Sequence, residues 1–203
     1  MPYHTLSTYR EEQHPWPPYI PGNADKLLLG TFPTVADNHR FEFFYPSPKN
    51  RFWPIMSQLA GHQLLHFQGE AAADERRSIL DKLGLGVTDI GFRVLRQNES
   101  ALDHNLFPLE FCNIFRLAGE HPGIRKIILT SSGKGNSVLS WFSAYCELNG
   151  IDLQHSKEDI PWETTIFLGD RALTVAVAYS TSTTYRSRDL PYMIAHYRRV
   201  LDR

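Results

Sequence analysis

Between Phe43 and Met56 the chain reads FFYPSPKNRFWPIM, with two prolines, a lysine, an asparagine and an arginine set among large apolar side chains. Polar groups in such company must be hydrogen-bonded or exposed to serve something. Asn50 directly precedes an apolar stretch of helical period, so a helix N-cap accounts for it, and Pro54 near the first turn agrees with that placement. Tyr45, Phe52 and Trp53 can fill a core or offer a stacking face. Gly30-Thr31-Phe32-Pro33 forms a turn whose backbone can approach a ligand closely, or simply a turn. YSTSTTYR, Tyr179 to Arg186, places five hydroxyl residues between an apolar run and a basic pair. Hydroxyls and loop amides of that kind hold phosphates without needing net charge; an ordinary Ser/Thr loop is the competing reading. SSGKGNS, Ser131 to Ser137, lacks the spacing of a nucleotide-binding P-loop, which argues against a nucleoside triphosphatase. His62 and His66 have the i, i+4 spacing of a metal pair but no third ligand beside them, so no metal site is expected.

These residues need elements to position them. KLLLG (Lys26 to Gly30), LGVTDI (Leu85 to Ile90) and RKIILT up to Thr130 read as buried strands, and TTIFLGDRALTVAVAYS as two more turning at Gly169-Asp170. Helices are predicted from Phe52 to Gly61, from Asp74 to Gly84, over Pro108 to Gly119 with Phe111 and Phe115 on one face, from Asn136 to Leu148, and over LPYMIAHYRRVL at the end. Arg93 to Asp103 reads as a polar loop, and residues 1–24, rich in proline, as an extended arm. Strands alternating with helices predict an α/β sandwich around a mostly parallel sheet. Sites in such sheets form beyond the carboxyl ends of the strands, where Gly30 to Pro33, Arg93 to Asp103, Ser131 to Asn136 and Tyr179 to Tyr185 all fall.

With 203 residues, 42% apolar and 21% charged, the chain has the make-up of one globular domain. No apolar run is long enough for a membrane span and MPYHTLSTYR has no signal-peptide core, so a cytoplasmic protein is expected, with no membrane association. Cys112 and Cys146 stand far apart and are expected as reduced, packed thiols. A net charge of −1 supplies no global attraction to nucleic acid, so any DNA contact must be local, at SPKNR, SSGKGNS or YRSR.

In order and spacing the chain resembles the uracil-DNA glycosylase superfamily, and most of all its hypoxanthine-DNA glycosylase branch, which is related to the mismatch-specific uracil glycosylases. PPYIPGNADKLLLGTFP is similar to the branch's arm, first strand and Gly-x-x-Pro motif, FYPSPKNRFWPIM to its Tyr-x-x-Pro-x-Asn-x-Phe-Trp segment, ESALD to its central loop, HPGIRKIIL to the approach to its third strand, and YSTST to its late Ser/Thr-rich loop. The resemblance implies a single three-layer α/β/α sandwich with a central sheet of four to five strands over residues 1–203, acting as a monomer without metal or cofactor. Its partner would be DNA carrying a deaminated base, hypoxanthine or uracil, flipped out of the duplex and hydrolysed from its sugar. Carried over residue by residue, Asn50 becomes the catalytic residue that positions water or stabilises the leaving base. Tyr45 becomes the stacking ring, and Gly30, Thr31, Phe32, Pro33, Ser132 and Gly133 the base pocket. Lys49, Lys134, Ser180, Thr181, Ser182, Thr183 and Arg186 become DNA contacts. The chain departs from uracil-specific relatives in having Phe32 in place of Asp or Asn, Ala178 in place of His, and Ser132-Gly133 in place of Asn-Gly. A noncatalytic nucleic-acid or nucleotide binder of the same fold is the rival expectation. An α/β-hydrolase using Ser180 or Ser182 ranks below both, since no Gly-x-Ser-x-Gly elbow is present.

Overall fold

The computed structural model describes residues 7–133, 135–155, 159–182 and 188–202. Its central sheet has five strands: β2 Lys26–Gly30, β3 Leu85–Asp89, β6 Lys126–Leu129, β7 Trp162–Leu168 and β8 Arg171–Val177, in the order β3-β2-β6-β8-β7. β3, β2, β6 and β8 are parallel and β7 returns antiparallel along β8. The near-continuous apolar runs KLLLG and KIIL occupy the middle of the sheet, as expected for strands covered on both faces.

Alternate residues of these strands enter two separate apolar clusters. Leu27, Leu29, Ile127, Leu129, Val175 and Val177 pack with α3 Ile114–Glu120 and α4 Val138–Leu148. Leu28, Val87, Ile128 and Ala176 pack with α1 Phe52–Leu59, α2 Gly69–Leu83 and α5 Leu190–Asp202. Among the described residues, no helix is long and apolar enough to cross a membrane. Both cysteines are free thiols.

A second sheet replaces two sequence expectations. Arg93 to Asp103 is not one polar loop: its first half belongs to strand β4, Gly91–Gln97, which lies between β1 Tyr9–Gln13 and β5 Leu106–Phe111 in an antiparallel sheet. The charges that suggested a loop are met across the strands, with Arg93 on Glu11 at 3.0 Å and on Glu110 at 2.9 Å, and Arg96 on Glu12 at 2.9 Å. The helix expected over Pro108 to Gly119 begins only at Ile114, where the Asn113 side chain accepts the Arg116 amide at 3.1 Å. Pro108 stands on the edge strand β5 opposite Val94, beside a register irregularity, where a missing N–H is tolerated. The proline-rich arm is accordingly a strand followed by a cover: Tyr19 and Val87 exchange backbone hydrogen bonds at 3.0 and 2.8 Å along the outer edge of β3. α2 starts at Gly69, one turn before Asp74, because Glu70 to Ala73 are good helix formers.

Candidate functional site

Gly30, Asp89, Leu129 and Val177 end the four parallel strands at one edge of the sheet. The segment from Tyr45 to Arg51 sits against that edge. Its far end is fastened to the Ser/Thr loop, where the Arg51 amide donates to the Thr181 carbonyl at 3.1 Å. Thr181 itself is buried, and the Ser180 hydroxyl accepts the Ser182 amide at 3.2 Å, so this loop is folded on itself rather than splayed. Lys49 is exposed beside it. Lys134, Thr183 and Arg186 lie outside the described residues.

Asn50 caps the first turn of α1: its Oδ1 accepts the Phe52 amide at 2.9 Å. Among the described residues its Nδ2 makes no hydrogen bond, leaving that amide end available. Tyr45 has φ of 53°, a left-handed backbone uncommon for an aromatic residue. Its ring stacks on the fully buried Phe52 with centroids 3.9 Å apart and planes 18° from parallel. Its hydroxyl is buried without a partner. Burial, then the neighbouring Asp89 carboxylate, hold that phenol well above its ordinary range, so it stays protonated. The Thr130 hydroxyl leans toward it and offsets part of this, but donates its own proton to the Leu29 carbonyl at 2.8 Å and stays outside bonding geometry.

Two further groups lie here that the sequence reading did not assign. Asp89, 7% exposed, receives His14 Nε2 at 2.9 Å on Oδ2, while His14 Nδ1 lies 2.7 Å from the Trp16 carbonyl. An acidic residue at the carboxyl end of a predicted parallel strand is a detectable signal for Asp89. Nothing local in the arm marks His14. Asp103, from the ESALD segment, accepts the Thr31 hydroxyl at 2.9 Å. It is open to solvent yet surrounded by protein, the situation of a carboxylate lining a cleft, and that desolvation, helped by Asp89, raises its pKa while Thr31 opposes the shift.

Gly30 is required by close approach: a Cβ there would collide with Asp89 Oδ1 and lie 3.2 Å from the Tyr45 hydroxyl. Thr31, Phe32 and Pro33 are buried, and Pro33 offers its carbonyl to Arg96 at 2.7 Å. Phe32 and Pro33 border a cavity of about 620 Å³ shared with Arg10, Glu12 and Arg96. A second cavity, about 350 Å³, is bordered by His14, Trp16, Thr88, Asp89 and Cys112. Neither is lined by Asn50 or Tyr45. Ser132 is half-buried and Gly133 exposed, and neither is hydrogen-bonded to Tyr45 or Asn50. Ser131, by contrast, holds the start of α4, its Oγ accepting the Val138 amide at 2.9 Å. His62 and His66 follow α1 rather than lying on it, and Glu75 gathers them by accepting His62 Nε2 at 3.0 Å and the His66 amide at 3.1 Å.

α5 fixes the other wall. Tyr197 donates to the Tyr179 carbonyl at 2.7 Å, and the Tyr179 amide donates to His196 Nε2 at 3.1 Å, so His196 must be neutral there. Burial, then Arg199, lower its pKa from 6.5 to about 4. A histidine depressed on folding contributes stability that is complete above pH 6.5 and is lost as pH falls toward 4, because only the unfolded chain takes up the proton. The expected loss over that window is at most about 3 kcal/mol. Denaturant melts at pH 7 and pH 4.5 measure it, and His196→Gln, which cannot titrate, should flatten that part of the profile.

The chain matches no protein-family model and no curated protein sequence.

Proposed function

We propose that this protein is a monofunctional DNA N-glycosylase that hydrolyses a flipped-out deaminated base, hypoxanthine or uracil, from its sugar. The observation that carries the reading is the packing of the Tyr45 to Arg51 segment on the carboxyl edge of the sheet, with Tyr45 against Gly30 and Arg51 against Thr181. The two apolar clusters, one with α3 and α4 and the other with α1, α2 and α5, support the three-layer sandwich this reading requires. One face of the Tyr45 ring is taken by Phe52, which leaves the other to stack an extruded base. As the C1′–N bond breaks, negative charge grows on the base and positive charge on the sugar. Asn50 Oδ1 is engaged by the helix, so the end turned to chemistry is Nδ2, a donor suited to the leaving base and unable to take a proton from water. The reaction consumes only water, and the enzyme would act as a monomer with DNA as its partner.

A noncatalytic binder of the same fold is the second reading, favoured by the absence of Asn50 and Tyr45 from the lining of both cavities. Alkaline strand cleavage of labelled duplexes carrying one hypoxanthine, uracil, xanthine or mismatched thymine separates the two. Cleavage of one duplex above the undamaged control is the expected result; binding with no cleavage of any would favour the binder.

A further inference from the structure

We infer that Asp89 and Tyr45 hold the hydrolytic water in the recess left by the missing side chain of Gly30, with His14 orienting Asp89. This rests on the glycosylase reading and supplies what Asn50 cannot, an acceptor for the water's proton.

The geometry is specific. Asp89 Oδ2 is committed to His14, while Oδ1 accepts no hydrogen bond among the described residues. The Tyr45 hydroxyl is equally without a partner, and it is buried. Both point at one spot, the place a Gly30 Cβ would fill, yet they do not bond each other. Leaving a buried phenol and a buried carboxylate oxygen unpaired costs roughly 1–3 kcal/mol for each group, and a single water between them satisfies both. Tyr45 donates to that water, whose own O–H points to Asp89 Oδ1. Substitution of Gly30 by any other residue would evict it.

The step balances without a further reactant. The water oxygen gives a lone pair to C1′, the C1′–N bond electrons leave with the base, the water's proton passes to Asp89 Oδ1, and the departing base is reprotonated from that carboxyl. His14 Nε2 touches neither water nor substrate. It is a positioning residue that keeps Oδ1, rather than Oδ2, turned to the recess. The titratable groups facing Asp89 are His14 from the arm, Tyr45 from the segment before α1, Asp103 from the turn after β4 and Cys112 after β5.

The test pairs crystallography of the full chain with single-turnover kinetics on the duplex that the substrate panel identifies. A structure resolving ordered solvent should show a water within hydrogen-bonding distance of both Tyr45 Oη and Asp89 Oδ1, absent in Gly30→Ala. Asp89→Asn, nearly isosteric, should lower the excision rate about 10²-fold or more with duplex affinity and thermal midpoint retained, and should abolish the acid limb of the pH–rate profile. His14→Gln should shift that limb rather than remove it. A recess without water, or an Asp89→Asn enzyme with the wild-type rate and profile, overturns the inference while leaving the glycosylase standing. A wild-type protein that cleaves no duplex, with the water present, overturns the glycosylase reading and reduces the water to a structural one.

Discussion

Asn50→Ala slows single-turnover base excision by about 10²–10³-fold and costs about 1 kcal/mol of stability, whereas Asn50→Asp restores the stability and not the rate. The two variants separate two duties of one side chain. Oδ1 caps α1 through the Phe52 amide, and a carboxylate does that as well or better, since it also faces the positive end of the helix. Nδ2 is the only end able to donate to an anionic leaving base, and Asp has no such donor. Urea melts report the first duty and rapid-quench excision the second. Duplex affinity is measured alongside, because the added negative charge of Asp weakens phosphate contact by itself. If both variants excise at the wild-type rate, Asn50 is a cap and nothing more.

Arg96→Ala is expected to destabilise the fold by about 3–5 kcal/mol, the largest effect of any single polar substitution considered. Arg96 is 1% exposed, and its guanidinium bonds Glu12 at 2.9 Å, the Ser100 carbonyl at 2.7 Å and the Pro33 carbonyl at 2.7 Å. It also lies 5.8 Å from the centre of the Phe32 ring. Truncation therefore strands a carboxylate and two carbonyls at once, and loosens the turn after β2 that carries Thr31 to Pro33. Arg96→Lys should recover only part of the loss, because an ammonium lacks the planar fork that reaches three acceptors in different directions. Equilibrium unfolding in guanidinium chloride decides it; a change below about 1 kcal/mol would mean that the three acceptors find other partners.

The parts of this fold that are legible in sequence are those whose signal is local. Lys26–Gly30 and Lys126–Leu129 announce themselves as apolar runs, and α1 begins at Phe52 as Asn50 and Pro54 predict. The closing helix follows from its own period. The second sheet was illegible because its strands are charged: Arg93 and Arg96 look like a solvated loop until Glu11, Glu12 and Glu110 arrive from two other strands. Phe111 and Phe115 share helical spacing by coincidence, one ending β5 and the other inside α3. At the site, Asn50, Tyr45 and Gly30 could be singled out by residue type and neighbours. The His14 contact with Asp89 spans 75 residues and leaves no mark on either segment.

That separation bears on how the protein is made. β1 pairs only with β4, and the contact between Glu12 and Arg96 joins residues 84 apart. At a synthesis rate of about 5–20 residues per second, residues 9–13 leave the ribosome roughly 4–17 s before their partner strand exists. Until then their backbone has water for company, and the loop they must close is long. The first strand translated is thus held in waiting, and the edge strand β3 gains its Tyr19 cover only when the arm comes down. His14 reaches Asp89 in the same movement, so the carboxylate is oriented only in a chain whose second sheet is complete.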